Sequence, residues 1–258
     1  CIRDSDTMPM MFVGIEPENG VDLTPADYEN LFAELEAYPD VTTVQGVVYT
    51  TIYWRKPDET GFIDAAASGY SEPMDAILLE PTTLVTGRYP EPGQHEVVIE
   101  RRMADKYRLA VGDPVVVRVL SELQGRPGEA MAIPEETWTI TGIVFDPYLF
   151  DSATQGLMGL PEDVMRLGES QRYTTLLVRF TSFAVAGRTS YDFQRFINQQ
   201  TPFVVSWSWL EDPDHSDMIT EVGQWTDTLQ ALAIIAMLVS SFLVVTVIST
   251  FVVEQRRQ

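Results

Sequence analysis

The stretch LVTGRYPEPGQHEVVIERRMADKYRLAVGDPVVV, Leu84 to Val117, followed after a loop by WTITGIVFD, Trp138 to Asp146, carries the densest local signals in the chain. Gly87 with Arg88 predicts a turn, Glu96 to Ile99 a strand, and Met103 with Ala104 a short helix within Arg101 to Tyr107. Val111, Gly112 and Asp113 then read as a tight turn into the next strand, Val115 to Leu120. Turn residues spaced between short apolar runs describe a scaffold. The pattern is structural rather than catalytic.

Working outward, a helix is well signalled upstream. Thr24 stands as cap, Pro25 at the first helical position and Asp27 three residues after the cap; Tyr28, Leu31, Phe32 and Leu35 share one face. Pro39 and Asp40 end it. Val41 to Trp54, rich in β-branched and aromatic residues, predicts one or two strands, and a polar loop containing Pro and Gly is expected from about Lys56 to Glu72. Further strands are expected at Ala76 to Leu79, Trp138 to Val144, Thr174 to Phe180 and Phe203 to Trp207, and helices at Pro161 to Leu167 and about Thr189 to Gln199. The fold class is therefore α+β. The β-rich middle suggests two lobes: an α+β lobe from residues 1–74 and 146–227, with a β-rich lobe, 75–145, inserted between its halves.

Downstream, TLQALAIIAMLVSSFLVVTVISTFVV, Thr228 to Val253, contains no charged residue. As a helix its apolar core of about 25 residues rises about 37 Å, more than the roughly 30 Å of bilayer hydrocarbon. Apolar side chains occupy every face, unlike a helix half-buried in a water-soluble domain. Residues 228–258 are thus expected to be a transmembrane helix with a cytoplasmic stub. Asp214, Asp217, Glu221 and Asp227 precede the run and Arg256 and Arg257 follow it, which places the carboxyl end inside and the remainder of the chain outside the cell membrane. Trp225 falls where an interfacial aromatic anchor would sit, and equally suits a core position.

With 258 residues, 17 Lys plus Arg against 38 Asp plus Glu and a formal net charge of −21, the chain is a poor match for nucleic acid, whose binding is driven by cationic side chains. One cysteine, Cys1, excludes an intrachain disulfide and a thiolate metal cluster. There is no phosphate-binding glycine loop with its lysine and no G-x-S-x-G turn, and His95 and His215 are each alone. Glu135 with Glu136, and Asp212 with Asp214, are carboxylate pairs that read as solvated faces in so acidic a chain. No cofactor, metal or catalytic residue is assigned. SWSW, Ser206 to Trp209, has strand periodicity; a half-buried terminal strand explains it better than a sugar or peptide platform does.

The order G-R, E-V-V-I, an alanine, V-G-D and then Ile140, Thr141, Gly142 and Ile143 resembles the extracytoplasmic domain of ABC transporter permeases of the MacB and LolC type, the FtsX-like or mechanotransmission permeases. The segment Leu23 to Trp54 is similar to the family's first lobe segment. Leu229 to Arg257 is similar to its second membrane helix with the coupling segment that follows, here Glu254, Arg256 and Arg257. The resemblance implies a non-catalytic subunit moved by a separate cytoplasmic ATPase. Its further partners would be a second permease subunit, identical or closely related, the lipid bilayer and an extracytoplasmic protein. It also implies that further spans belong to the complete permease. The alternative from another class is a single-span receptor or adhesion module binding an extracellular ligand.

Overall fold

The computed structural model describes residues 5–18, 23–119, 135–148, 156–168 and 172–214, and beyond them 230, 232–237, 239–241 and 244. The chain divides into two compact units, Cys1–Pro213 and Asp214–Gln258.

In the first unit the strands are β1 Met11–Pro17, β2 Val41–Arg55, β3 Ile63–Tyr70, β4 Thr83–Gly87, β5 Glu96–Glu100, β6 Pro114–Arg118, β7 Glu136–Phe145, β8 Leu157–Met158, β9 Thr175–Phe180 and β10 Phe203–Leu210. The helices are α1 Pro25–Glu36, α2 Arg101–Tyr107, α3 Pro161–Leu167 and α4 Phe183–Gln200. All ten strands join one sheet in the order β10-β1-β9-β2-β3-β8-β5-β7-β4, with β6 bridging β2 and β7. Pairing is mostly antiparallel; β5 with β7 and β3 with β8 are parallel.

Local chemistry explains the helices. Pro25 opens α1, and the Asp27 carboxylate accepts from both the backbone N–H and the hydroxyl of Thr24, each at 2.7 Å. Those two bonds hold the Asp27 carboxyl below its ordinary range. Glu100 caps α2 by accepting from the Arg102 N–H, and Arg108 closes it in the left-handed region, φ 54°. Pro161 opens α3, as expected. The fourth helix starts six residues before the expected Thr189, because Ser182 supplies a cap and accepts from Val185.

Two expectations fail. The segment Lys56 to Glu72 is no loop throughout: Ile63–Tyr70 forms β3, paired antiparallel with β2 from Val47↔Tyr70 to Trp54↔Ile63. Its sequence, IDAAASGY, is poor in β-branched residues, so tertiary pairing overrides propensity. Conversely, Ala76 to Leu79 forms no strand. Ile77 and Leu79 are buried, and the Gln45 side chain serves the Leu79 backbone instead of a ladder, donating to its carbonyl and accepting from its N–H, both at 3.1 Å. Three strands, β1, β4 and β8, had no counterpart in the sequence reading.

The apolar interior is divided. One cluster joins both ends of this unit: Met11, Val13 and Ile15 of β1, Tyr28, Leu31 and Leu35 of α1, Leu176 and Val178 of β9, Phe193 and Ile197 of α4, and Phe203 of β10. A second gathers Ile52 and Trp54 of β2 with Val97, Ile99, Met103, Val115, Trp138, Ile140 and Val164. A third, with Val47, Tyr70, Leu79, Val98, Val144 and Leu177, lies on the opposite face, since Leu176 and Leu177 are neighbours in one strand. The fifteen-residue strand β2 ties them together by pairing with β9 over Val41–Val47 and with β3 over Val47–Trp54. Burying each large apolar side chain contributes about 1.5–3 kcal/mol, so these clusters dominate the stability of the sheet.

In the second unit the described residues from 230 to 244 are helical, and the Ser241 hydroxyl donates to the Met237 carbonyl at 2.8 Å. Leu232, Ile234, Ile235, Met237, Val239 and Val244 are each more than half exposed. Among the described residues no helix is long and apolar enough to cross a membrane. Most of the expected span from Thr228 to Val253 lies outside the described residues.

Candidate functional site

The residues expected to anchor and couple, Trp225, Glu254, Arg256 and Arg257, also lie outside the described residues, as does His215. Among the described residues no group of three His, Cys, Asp or Glu side chains is placed to hold a metal. His95 stacks on Trp138, ring centroids 5.9 Å apart and 20° from parallel. The Glu135–Glu136 pair is not the solvated face expected of it. Glu135 binds Arg55 at 2.8 Å, whereas Glu136 takes a two-pronged bond from Arg166, at 2.6 and 3.0 Å, and a third from the Trp138 indole at 3.0 Å. Arg166 above all holds the Glu136 carboxyl below its ordinary range. Glu136 thereby fastens α3 to the start of β7.

The motif residues build a second fastening at the β4 end of the sheet. Gly87 has φ 83°, and a Cβ there would lie 2.2 Å from the Thr141 carbonyl oxygen. Arg88 next to it grips Glu96 with both terminal guanidinium nitrogens, Nη1 and Nη2, at 2.7 and 2.5 Å, and Glu96 also accepts from the Glu91 N–H at 2.9 Å. Opposite them, a Cβ on Gly142 would meet the Arg88 carbonyl oxygen at 2.5 Å. In the V-G-D turn, Gly112, φ 95°, donates to the Ile140 carbonyl at 2.7 Å, and Asp113 accepts from the Ala110 N–H at 2.8 Å. The motif thus works as a set of backbone and charge locks on β4, β5 and β7. Sequence reading found the residues but not the Arg88–Glu96 pair, whose only signal was two opposite charges eight positions apart.

The other end of the sheet is a two-stranded ribbon where the chain enters and leaves this unit. Strands β1 and β10 pair from Met11↔Leu210 to Pro17↔Phe203, with a bulge between Gly14 and Ile15. Glu211 donates to the Met10 carbonyl at 3.1 Å, and Arg179 of β9 donates to the Met8 carbonyl at 2.5 Å, so the leading segment is tied to the same edge. On the face away from α1 and α4, Trp209 lies opposite Phe12, and Trp207 opposite Gly14. The Trp207 indole covers Gly14 so closely that a Cβ there would fall 2.1 Å from its Nε1. Both tryptophans are exposed, by 49% and 60%, as are Ser206 and Ser208, so the SWSW strand is terminal as expected but more exposed than the half-buried strand expected. Sequence periodicity could not show this, because the register with Phe12 and Gly14 spans nearly the whole unit.

The sequence model of the MacB-like periplasmic core domain matches residues 2–200. Among solved structures, the periplasmic region of MacB from Actinobacillus actinomycetemcomitans is similar at 12% identity and a TM-score of 0.48, covering 85% of this chain and 94% of that one. The extracellular domain of the noncanonic ABC-type transporter YknZ from Gram-positive bacteria is similar at 14% identity and a TM-score of 0.47, covering 76% and 100%. No curated protein sequence matches the chain. With the family's sequence model spanning residues 2–200 of 258, the chain belongs to the MacB-like periplasmic core domain family of ABC-type transporter permeases.

Proposed function

We propose that this chain is the extracytoplasmic part, with an adjoining membrane helix, of a permease subunit that a separate cytoplasmic ATPase moves to drive export, lipoprotein handling or activation of an envelope partner. The observation that carries the reading is the β1–β10 ribbon. The strands nearest the two ends of this unit, β1 from Met11 and β10 to Leu210, are paired neighbours, backed by the Glu211 to Met10 bond. A displacement applied at either end is therefore delivered to one place, and from there across a hydrogen-bonded sheet to β4. In this reading the apolar run from Thr228 to Val253 crosses the membrane, and Glu254, Arg256 and Arg257 lie at its inner face beside the ATPase, with Trp225 at the outer one. The division into an α+β lobe and an inserted lobe at 75–145 belongs to the same reading, as does a subunit that itself carries no catalytic group.

The test is purification of the full-length permease from membranes. An ATPase subunit is expected to come with it, and a spin label on Tyr191, exposed on α4, is expected to report a different label-to-label distance between copies with and without a non-hydrolysable ATP analogue. Recovery of the permease without any ATPase, or surface labelling of intact cells that fails to reach Tyr191, overturns the proposal.

A further inference from the structure

We infer that the outward face of the β1–β10 ribbon binds an extended cationic segment of a partner protein, with its Lys or Arg groups seated on the rings of Trp207 and Trp209. The geometry of Trp207 carries this. A Cβ built on Gly14 would lie 2.1 Å from the indole Nε1 and 2.5 Å from each of its two ring neighbours, Cδ1 and Cε2. Equal distances to both neighbours, so little longer than that to Nε1, put the point above the ring; in the ring plane both neighbours would be farther away. The indole therefore lies flat on the Gly14 backbone, and its other π-face turns to solvent, since the side chain is half exposed. Trp209, two residues on and opposite Phe12, is more exposed still. A peptide platform was the weaker expectation for a half-buried SWSW; with both rings exposed it becomes the better one.

Charge selects the occupant. The face of an indole is electron-rich and attracts ammonium and guanidinium groups. Because alternate residues of a strand share a face, Glu16 of β1 follows Gly14 on the tryptophan side, and Glu211 follows Trp209. Glu16 is exposed and forms no ion pair with a described residue. The two strands, MFVGIEP and FVVSWSWL, contain no Lys or Arg. Arg179, the one cation of β9, is committed to the leading segment: it donates to the Met8 carbonyl at 2.5 Å and stands 3.7 Å from the Asp6 carboxylate. Over the whole chain 38 acidic residues outweigh 17 basic ones, so a second copy, an acidic peptide or an anionic headgroup is repelled where a basic segment is drawn in.

Spacing selects its form. Trp207 and Trp209 stand about 6–7 Å apart along the strand, as do alternate side chains of any extended segment laid beside them. Two cations separated by one residue therefore reach both rings at once. Each such contact at an exposed site changes affinity by about two- to fivefold, so a free peptide binds weakly and reversibly.

The experiment uses the full chain in detergent micelles and a labelled Lys-Ser-Lys-Ser-Lys-Ser peptide, followed by fluorescence anisotropy. The peptide is expected to bind and to shield Trp207 and Trp209 from quenching by aqueous acrylamide. Trp207→Ala with Trp209→Ala should weaken binding at least about fivefold and abolish the shielding, whereas Phe at both positions should retain part of the affinity. Glu16→Gln should weaken binding about twofold, and Glu34→Gln, the same loss of charge at an exposed position of α1, should not. Equal affinity with and without the two tryptophans assigns binding to net charge alone, and equal binding of a hexaserine peptide assigns it to contact without charge; either result overturns the inference. So does failure of acrylamide to reach the two rings in proteoliposomes without peptide, which places this face against lipid. The inference does not rest on the permease reading: peptide binding by a chain that brings no ATPase leaves it standing, and a chain that brings the ATPase but binds no peptide refutes it alone.

Discussion

The two ends of the sheet are held by different means. At the β4 end, Gly87 at positive φ and Gly142 let backbones touch, and a bidentate ion pair fixes the connection after β4 to β5. At the β10 end, an aromatic side chain lies over a glycine on the neighbouring strand, and the outer edge is bonded to no other described strand. Backbone against backbone has no soft partner and resists any added atom, whereas an exposed indole can turn away. The difference suggests a rigid end that keeps its shape and a compliant end where the chain enters, pairs and leaves.

The sharpest way to break this contrast is Gly87→Ala. Its Cβ would meet the Thr141 carbonyl oxygen at 2.2 Å, and φ 83° is itself strained for any residue with a side chain. Neither side of the clash is a rotatable side chain. A loss of about 3 kcal/mol or more is expected in denaturant unfolding. If Gly87→Ala unfolds like the wild type, the β4 end is not rigid and the comparison fails.

What the sequence could disclose follows the same division. Rules acting over a few residues were readable: the Thr24–Pro25–Asp27 start of α1, the limits of α2 and α3, and the turn at Gly112, whereas Gly87, expected in a turn with Arg88, is the last residue of strand β4. Segments whose state is decided by a distant partner were not. Strand β3 is mostly Ala, Gly and Ser and exists because β2 pairs along its whole length. Strand β1, MFVGIEP, is interrupted by Gly14 and ends on Pro17, both weak strand residues, and Gly14 makes sense only beneath Trp207. At Ala76 to Leu79 apolar content marked burial correctly, but burial was mistaken for a strand because a glutamine side chain can satisfy a backbone as a ladder does. The candidate site shares this fate: SWSW was visible, its placement over Phe12 and Gly14 was not.

A smaller effect sharpens the picture of the β4 lock. Glu96→Gln keeps the shape of the side chain and removes the charge that Arg88 grips, and is expected to cost about 1–2 kcal/mol at neutral pH. The Arg88 bonds, more than any other cause, hold the folded Glu96 carboxyl below its ordinary range. Stabilisation from this source is therefore fully present above the unfolded value, about 4.3, and is lost as pH falls through the lower folded one. The gap between wild type and Glu96→Gln should close in acid. A gap independent of pH would assign the loss to packing instead.

The smallest expected effect tests the compliant end. In Gly14→Ala the new Cβ would sit 2.1 Å from Trp207 Nε1, closer than any Cβ tolerates, yet the obstacle is the far end of a half-exposed side chain. The indole should swing outward at a cost of about 1 kcal/mol or less, with a red shift in tryptophan emission as Trp207 enters water. Trp207→Ala should abolish that shift. It should also make the second substitution nearly free, since an alanine at 14 would then meet no ring; the two changes would be non-additive, as expected for groups in direct contact. A loss as large as that of Gly87→Ala would mean that Trp207 is as fixed as the carbonyl of Thr141, and the two ends of the sheet would then be equally stiff.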